Sequence, residues 1–403
     1  MKGAETPPSV LQQSFIGDNM SDFMKKYKKA VEKDKARNAK LLPDPTYYLH
    51  TGSYSLNRLM SGKFEGGAPQ GRIVSFGGHS SSGKSLVGAS ILAHNLKNGG
   101  IGIVIDSEGA IDNRFLAGVG IDVTDEDTMS RFLREGTSEI THCSRIVNNF
   151  IRDYAESGDD TRVVILVDSL DNLFTDSETK DINTVGDLGG DQGQRAKQLK
   201  RMLLSWTHSI STLNITIICS KQVYVEQDKF KAYEEPWVFT ESLKYPCSQI
   251  IVVEKLQFKD KATKEHKGFT LKAKSYKNRH TKEKQVAKIE VPFKDGLDPY
   301  AGLLEIAEQL GVVIKNNAWY SFANDNADMP KFQRKTAEND PDTMEAILTL
   351  CCKANDEELV LEPILDEYLS ELDKPSEETQ ESGKARRQRK ANEALEDSDD
   401  DSE

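Results

Sequence analysis

No stretch of this 403-residue chain approaches the roughly 20 consecutive apolar residues that a membrane-spanning helix needs, so no membrane role is expected. The opening segment, MKGAETPPSV, lacks the apolar core of a secretory signal, which argues against export. Cysteine is scarce. The five present (Cys143, Cys219, Cys247, Cys351, Cys352) form no CxxC pair and no metal-like spacing with histidine, so reduced thiols in a cytoplasmic setting are the simple expectation. An excess of positive charge is also missing: the net charge is −12. Taken alone, that argues against nucleic acid, but phosphates respond to the local field rather than to the total. The charge is segregated. Residues 393–403 hold Glu393, Glu396, Asp397, Asp399, Asp400, Asp401 and Glu403 with no base among them, whereas 255–288 is dominated by lysine, arginine and histidine.

What the chain does contain is 37% hydrophobic and 29% charged residues, enough for one large domain with smaller flanking lobes. Four regions are expected. Residues 1–50 carry a basic amphipathic helix over 20–37, with Phe23, Met24, Tyr27 and Val31 at helical spacing, before two prolines end it. Such a helix either packs on its own chain or docks on a neighbouring subunit. Residues 51–305 alternate β-branched apolar runs with helix-length segments, the pattern of a mostly parallel α/β sheet covered on both faces. Strands are predicted over 72–76, 102–105, 163–167, 215–219, 249–253, 269–274 and 287–293, the later ones close together as in an antiparallel extension. Residues 306–373 read as a small C-terminal lobe with helices over 344–353 and 357–372. Residues 374–403 are polar, first basic and then acidic, and bury no apolar face.

The segment Gly78-His79-Ser80-Ser81-Ser82-Gly83-Lys84-Ser85 fits G-x-x-x-x-G-K-[ST]. An apolar run precedes it and a helix-compatible run follows, the order that the motif requires. The glycines let the backbone wrap phosphates, and successive N–H groups at a helix N-terminus supply the positive field. Lys84 would reach the β- and γ-phosphates of ATP, and the Ser85 hydroxyl would ligate Mg²⁺. A second carboxylate is needed to hold Mg²⁺ through water. Asp168 ends the buried run VVILV and is the candidate, although an acid there could equally cap the next helix. Glu108 follows the run over 101–105 and is the candidate to orient the attacking water. This places Glu108 on a strand next to the phosphate-loop strand, a mark of ATPases rather than kinases.

These residues and four longer stretches, TGSYSLNRLMSGKFEGG, IDSEGAIDNRF, VDSLDNL and FKDGLDPYAGLLEIAEQLGVVIKNNAWYSF, resemble the RecA-type recombinases, most closely the phage UvsX branch, over residues 51–322. The resemblance implies a RecA-like ATPase core with an N-terminal helix extension and a small C-terminal lobe. It carries the catalytic glutamate to Glu108 and the adenine-contacting acid and aromatics to Asp112, Phe115 and Tyr300; Phe115 and Tyr300 read without it are ordinary core aromatics. It places the γ-phosphate sensor at Gln222, and two cations that complete a neighbouring subunit's ATP site at Lys277 and Arg279. Those two read alone as a solvated basic strand face. The two DNA-binding loops fall at 176–194 and 223–246. For the first, backbone N–H groups with Arg195 and Lys197 are the better phosphate contacts. The second lacks the family's double glycine but keeps Lys244, with Tyr233, Trp237, Phe239 and Tyr245 nearby.

The implied activity is ATP-dependent homologous pairing and strand exchange in recombination, repair and recombination-dependent replication. The implied partners are single-stranded DNA, homologous duplex DNA, further copies in a helical filament, a single-strand-binding protein and a recombination mediator. The setting would be a host cytoplasm if the chain is phage-encoded. A hexameric RecA-fold helicase shares the nucleotide chemistry, but the chain lacks a separate helicase N-terminal domain. A non-catalytic paralogue is disfavoured by intact Lys84, Glu108 and Asp168. The acidic terminus either competes with DNA for a basic groove or only aids solubility.

Overall fold

A computed structural model describes residues 24–26, 43–184, 192–225, 237–239, 241–259, 266–292, 297–323 and 330–355. Residues 24–26 are helical, as the 20–37 pattern predicts. The remainder of that helix, the predicted helix over 357–372 and the charged tail lie outside the described residues.

The first of two compact units runs to Pro299 and is built on an eight-stranded sheet. Its strands are β1 (Ile73–Gly78), β2 (Ile101–Asp106), β3 (Phe132–Gly136), β4 (Val163–Asp168), β5 (Ile215–Gln222), β6 (Cys247–Lys259), β7 (His266–Asn278) and β8 (Val286–Pro292). In space the order is β8-β7-β6-β1-β5-β4-β2-β3. From β6 to β3 every neighbouring pair is parallel, and β7 and β8 extend the edge antiparallel. All seven predicted strands are present. The eighth, β3, carries the sequence FLREG with four of its five residues exposed, so no apolar run marks it.

Parallel strands buried on both faces read as unbroken apolar runs, and β4, VVILVD, is buried at every position. Alternation sorts its side chains. Val163, Ile165 and Val167 enter one apolar core with Ile103, Ile105, Ile215 and Ile217. That face is covered by helices Ile140–Ser157 and Gln192–Ile210, which supply Cys143, Val147, Ile151, Leu203 and Trp206. The opposite face receives α1 (Lys84–Lys97). A Cβ on Gly88 of α1 would lie 2.7 Å from Leu166 Cδ1, so the missing side chain lets this helix approach the sheet closely.

The strand order overturns one expectation. Glu108 follows β2, and both β4 and β5 stand between β2 and the phosphate-loop strand β1. Crossover connections, which local sequence does not encode, decide that order. A second difference concerns the predicted first loop: residues 176–184 are a helix, Asp176–Thr184. Thr175 and Glu178 cap it reciprocally, with Glu178 N–H donating to Thr175 Oγ1 (3.2 Å) and Thr175 N–H donating to Glu178 Oε2 (2.7 Å), the arrangement of a capping box. Residues 185–191 of that loop and 226–236 of the second lie outside the described residues.

The second unit begins at Tyr300. It holds helix Leu303–Gln309, a helix over 341–355 and a three-stranded antiparallel sheet of β9 (Val313–Asn316), β10 (Trp319–Phe322) and β11 (Phe332–Gln333). The helix pattern over 344–353 falls within the second helix. The small sheet has no counterpart among the sequence-based expectations.

Candidate phosphate-loop site

β1 delivers the chain to Gly78, and α1 begins six residues later at Lys84. Between them Ser81 (φ 59°) and Gly83 (φ 100°) take left-handed backbone conformations that curl the loop. A Cβ on Gly78 would sit 2.3 Å from Ser82 Oγ and 2.4 Å from the Val253 carbonyl, so only glycine lets the loop pass β6. No side chain caps the start of α1, and its first turn holds no acid. Its end thus presents backbone donors and the positive pole of the helix. Lys84 is buried, and its Nζ donates to the carbonyls of Gly78 (3.2 Å) and His79 (2.8 Å). A cavity of about 640 Å³ opens beside residues 79–82 and is walled by residues 253–257, Gly268 and Phe269.

Two carboxylates act on this lysine. Burial pushes the Lys84 ammonium below the usual lysine value, while Asp168 and Glu108 pull it back up. Asp168, at the tip of β4, is 1% exposed. Burial raises its carboxyl above the ordinary range, opposed by the Ser220 and Ser85 hydroxyls and reinforced by Glu108 and Asp106. Ser220 Oγ donates to Asp168 Oδ1, whereas Oδ2 is buried with no hydrogen-bond partner among the described residues. An orphaned carboxylate oxygen beside a serine hydroxyl offers the hard oxygen donors that Mg²⁺ takes. Asp168 and Ser85 therefore fit the ion.

Glu108 reaches the site through a network that its own strand builds. Asp106 Oδ1 accepts the N–H groups of Glu108, Gly109 and Ala110 at 3.1, 2.7 and 3.3 Å, and Oδ2 accepts that of Ile111 at 3.1 Å. One acid thus folds the turn after β2. Ser169 Oγ then donates to Glu108 Oε1 at 2.7 Å, and Ser107 ties the two turns by donating to the Ser169 carbonyl (2.7 Å) and accepting its N–H (2.8 Å). These positioning roles of Asp106, Ser107 and Ser169 were not expected; the only sequence signal was their place beside the two acids. Asp106→Ala should free the turn and lower the ATP turnover rate roughly tenfold, the scale of a lost positioning hydrogen-bond set. Steady-state ATPase assays would check this, with KM for ATP expected to change less than kcat.

Gln222 is the last residue of β5 and stands in register with Gly78, so the phosphate sensor candidate begins next to the loop. Its side chain is exposed, and its N–H donates to Asp171 Oδ2 at 2.5 Å. Asp112 is exposed and caps helix Asn113–Gly118 by accepting Phe115 N–H at 2.7 Å; Phe115 is half-buried. Tyr300 belongs to the second unit, where its hydroxyl donates to Glu345 Oε2 at 2.7 Å.

Lys277 and Arg279 are not brought to the loop of their own chain. Lys277 pairs with Ile250, which pairs with Ser75, three residues short of Gly78. At about 3.3 Å per residue the offset along the strands is about 10 Å. Both cations face the start of β6 instead. Lys277 Nζ donates to the carbonyls of Lys244 and Cys247, the latter at 2.8 Å, and Arg279 donates to that of Tyr245 at 3.3 Å.

Among the DNA candidates, Lys197 is exposed on helix Gln192–Ile210. Arg195 donates to the Asp171 carbonyl and lies over the Phe174 ring at 5.3 Å. Lys244 closes helix Glu241–Lys244, next to Tyr245, which is 69% exposed and covered at 5.7 Å by Lys200. Phe239 is buried against Tyr276 and so belongs to the core; Tyr233 lies outside the described residues. Among the described residues no helix is long and apolar enough to cross a membrane.

Residues 24–298 match the RecA N-terminal domain family. The chain is 27% identical over 278 residues to Protein RecA of Synechococcus sp. (strain CC9902), covering 69% of this chain and 68% of that one. It is 28% identical over 264 residues to Protein RecA of Nostoc punctiforme, covering 65% and 68%. A second Synechococcus Protein RecA, from strain CC9605, is 27% identical over 303 residues, 75% of each chain.

Proposed function

Because the chain belongs to the RecA family, we propose that it is an ATP-dependent recombinase of the UvsX type, which filaments on single-stranded DNA and exchanges strands with a homologous duplex. The observation that carries this reading is the convergence of Lys84, Ser85, Glu108 and Asp168 at one end of the sheet, with Gln222 in register beside Gly78. Such a set positions ATP, places an acid for the attacking water and links the γ-phosphate to the loop behind Gln222.

In this reading Ser85 would ligate Mg²⁺ and Asp168 would hold it through water; the ion, when bound, neutralises phosphate charge. Lys84 leaves the loop carbonyls for the phosphates. Glu108, held by Ser169, orients water. Asp112 and Phe115 hold the adenine, and Tyr300 is a separate aromatic candidate for the base. Lys277 and Arg279 serve the ATP of an adjacent copy. Lys197, Arg195 and Lys244 line the path of the DNA, the ATPase core is the unit that ends at Pro299 rather than at 305, and the accessory lobe is the unit that begins at Tyr300 rather than at 306. A single-strand-binding protein and a mediator would govern loading in a cytoplasmic setting.

The test supplies a homologous single-stranded circle, linear duplex and ATP. Joint molecules are expected from the wild type and not from Lys84→Ala. Unwinding of a forked duplex without joint molecules would instead identify a helicase.

A further inference from the structure

The three residues that end β5 are fastened to the tip of β4 and to the short turn that follows it. Ser220 Oγ donates to Asp168 Oδ1, Lys221 Nζ pairs with Asp171 Oδ1, and Gln222 N–H donates to Asp171 Oδ2 at 2.5 Å. On their other side the same three residues pair in register with Phe76, Gly77 and Gly78 of β1. The tip of β5 is therefore clamped between the phosphate loop and the turn after Asp168. The Lys221 and Asp171 side chains are only 10% and 12% exposed.

The same turn is also tied to the helix that follows the first predicted DNA loop. The Asp171 carbonyl accepts from Arg195, whose guanidinium lies over the Phe174 ring three residues further on. Arg195 stands in the first turn of helix Gln192–Ile210. Asp171 thus uses all three of its acceptor oxygens on two elements, β5 and this helix. A carboxylate that satisfies a buried ammonium and a backbone N–H together fixes both geometrically.

We propose that Asp171, with its partner Lys221, is a positioning residue that couples the DNA-loop helix at Arg195 to the phosphate-facing residue Gln222. The inference rests on the reading of Gln222 as γ-phosphate sensor and of the chain as a DNA-dependent ATPase. A shift of the Arg195 helix on DNA binding pulls the Asp171 backbone. The carboxylate transmits that shift to the backbone of Gln222 and to the ammonium of Lys221. The coupling is reciprocal, as any binding linkage must be.

The test is steady-state ATP hydrolysis by the full chain with and without oligothymidine single strands. Asp171→Asn and Lys221→Met should each lower the ratio of DNA-stimulated to DNA-free rate about tenfold, within the usual span of allosteric coupling. KM for ATP should stay within about twofold. Lys221→Arg, which keeps the charge, should retain most of the stimulation. Should either single variant fail to fold because it strands a buried charge, Asp171→Leu with Lys221→Met removes both charges and carries the same expectation.

Unchanged stimulation in the variants would overturn the coupling, as would a Lys221→Arg variant no better than Lys221→Met. So would a loss of stimulation accompanied by an equal rise in KM. Gln222→Asn separates the two readings. If it loses stimulation while Asp171→Asn keeps it, the sensor stands and the Asp171 coupling falls. If the wild type shows no stimulation at all, the DNA-dependent ATPase reading fails and the coupling with it.

Discussion

Glu108→Gln is expected to lower the rate of ATP hydrolysis by about 10²–10⁴-fold, the span of a removed general base, while ATP affinity stays within a few-fold. The substitution keeps the side chain's shape and its acceptor oxygen for Ser169, which lies 2.7 Å from Glu108 Oε1. It removes the charge that faces Lys84. Because the turn is folded by Asp106, whose oxygens take four consecutive N–H groups, the variant should melt at nearly the wild-type temperature. Filaments with ATP should persist longer than those of the wild type, since hydrolysis is what would release them. Single-turnover hydrolysis, nucleotide affinity and filament lifetime, measured on one preparation, check the three parts. An unimpaired single-turnover rate would remove Glu108 from the chemistry.

The second large effect concerns Lys277 and Arg279. If they complete a neighbour's site, Lys277→Ala with Arg279→Ala should depress DNA-stimulated hydrolysis by about 10³–10⁵-fold, the contribution of a cation supplied in trans to phosphoryl transfer. Their own chain holds them away from its phosphate loop, facing the carbonyls of Lys244, Tyr245 and Cys247. Mixing gives the sharper result. Lys84→Ala supplies intact cations and a dead loop; the double variant supplies the reverse. Together they should recover a fraction of wild-type activity that neither shows alone, because some interfaces then pair a good loop with good cations. Absence of complementation would place the two cations in a merely structural role.

Much of this was legible in the residues, and the reasons are physical. The runs that became β4 and β5 are buried on both faces, so burial wrote itself into their composition. The phosphate loop is legible because glycine is the only residue that fits between Ser82 and the Val253 carbonyl at position 78. The edge strand Phe132–Gly136 was not, since exposed side chains carry no burial pattern. Nor was the distance of β2 from β1, because strand order follows from crossovers and not from local sequence. The helix Asp176–Thr184 was announced by Thr175 and Glu178, but the glycines that follow in 186–193 suggested a loop throughout. Ser169, Ser220 and Asp171 show their roles only once strands far apart in sequence lie side by side. A lone serine or aspartate beside an acid has no pattern of its own.

ATP is expected to sit between consecutive copies of this chain on single-stranded DNA. The direct test is an image reconstruction of the full chain on oligothymidine with a non-hydrolysable ATP analogue and Mg²⁺. The expected result is an open helical filament, with nucleotide between the 78–85 loop of one subunit and Lys277 and Arg279 of the next. Closed rings, or nucleotide held by one subunit with those two cations turned away from it, would contradict it.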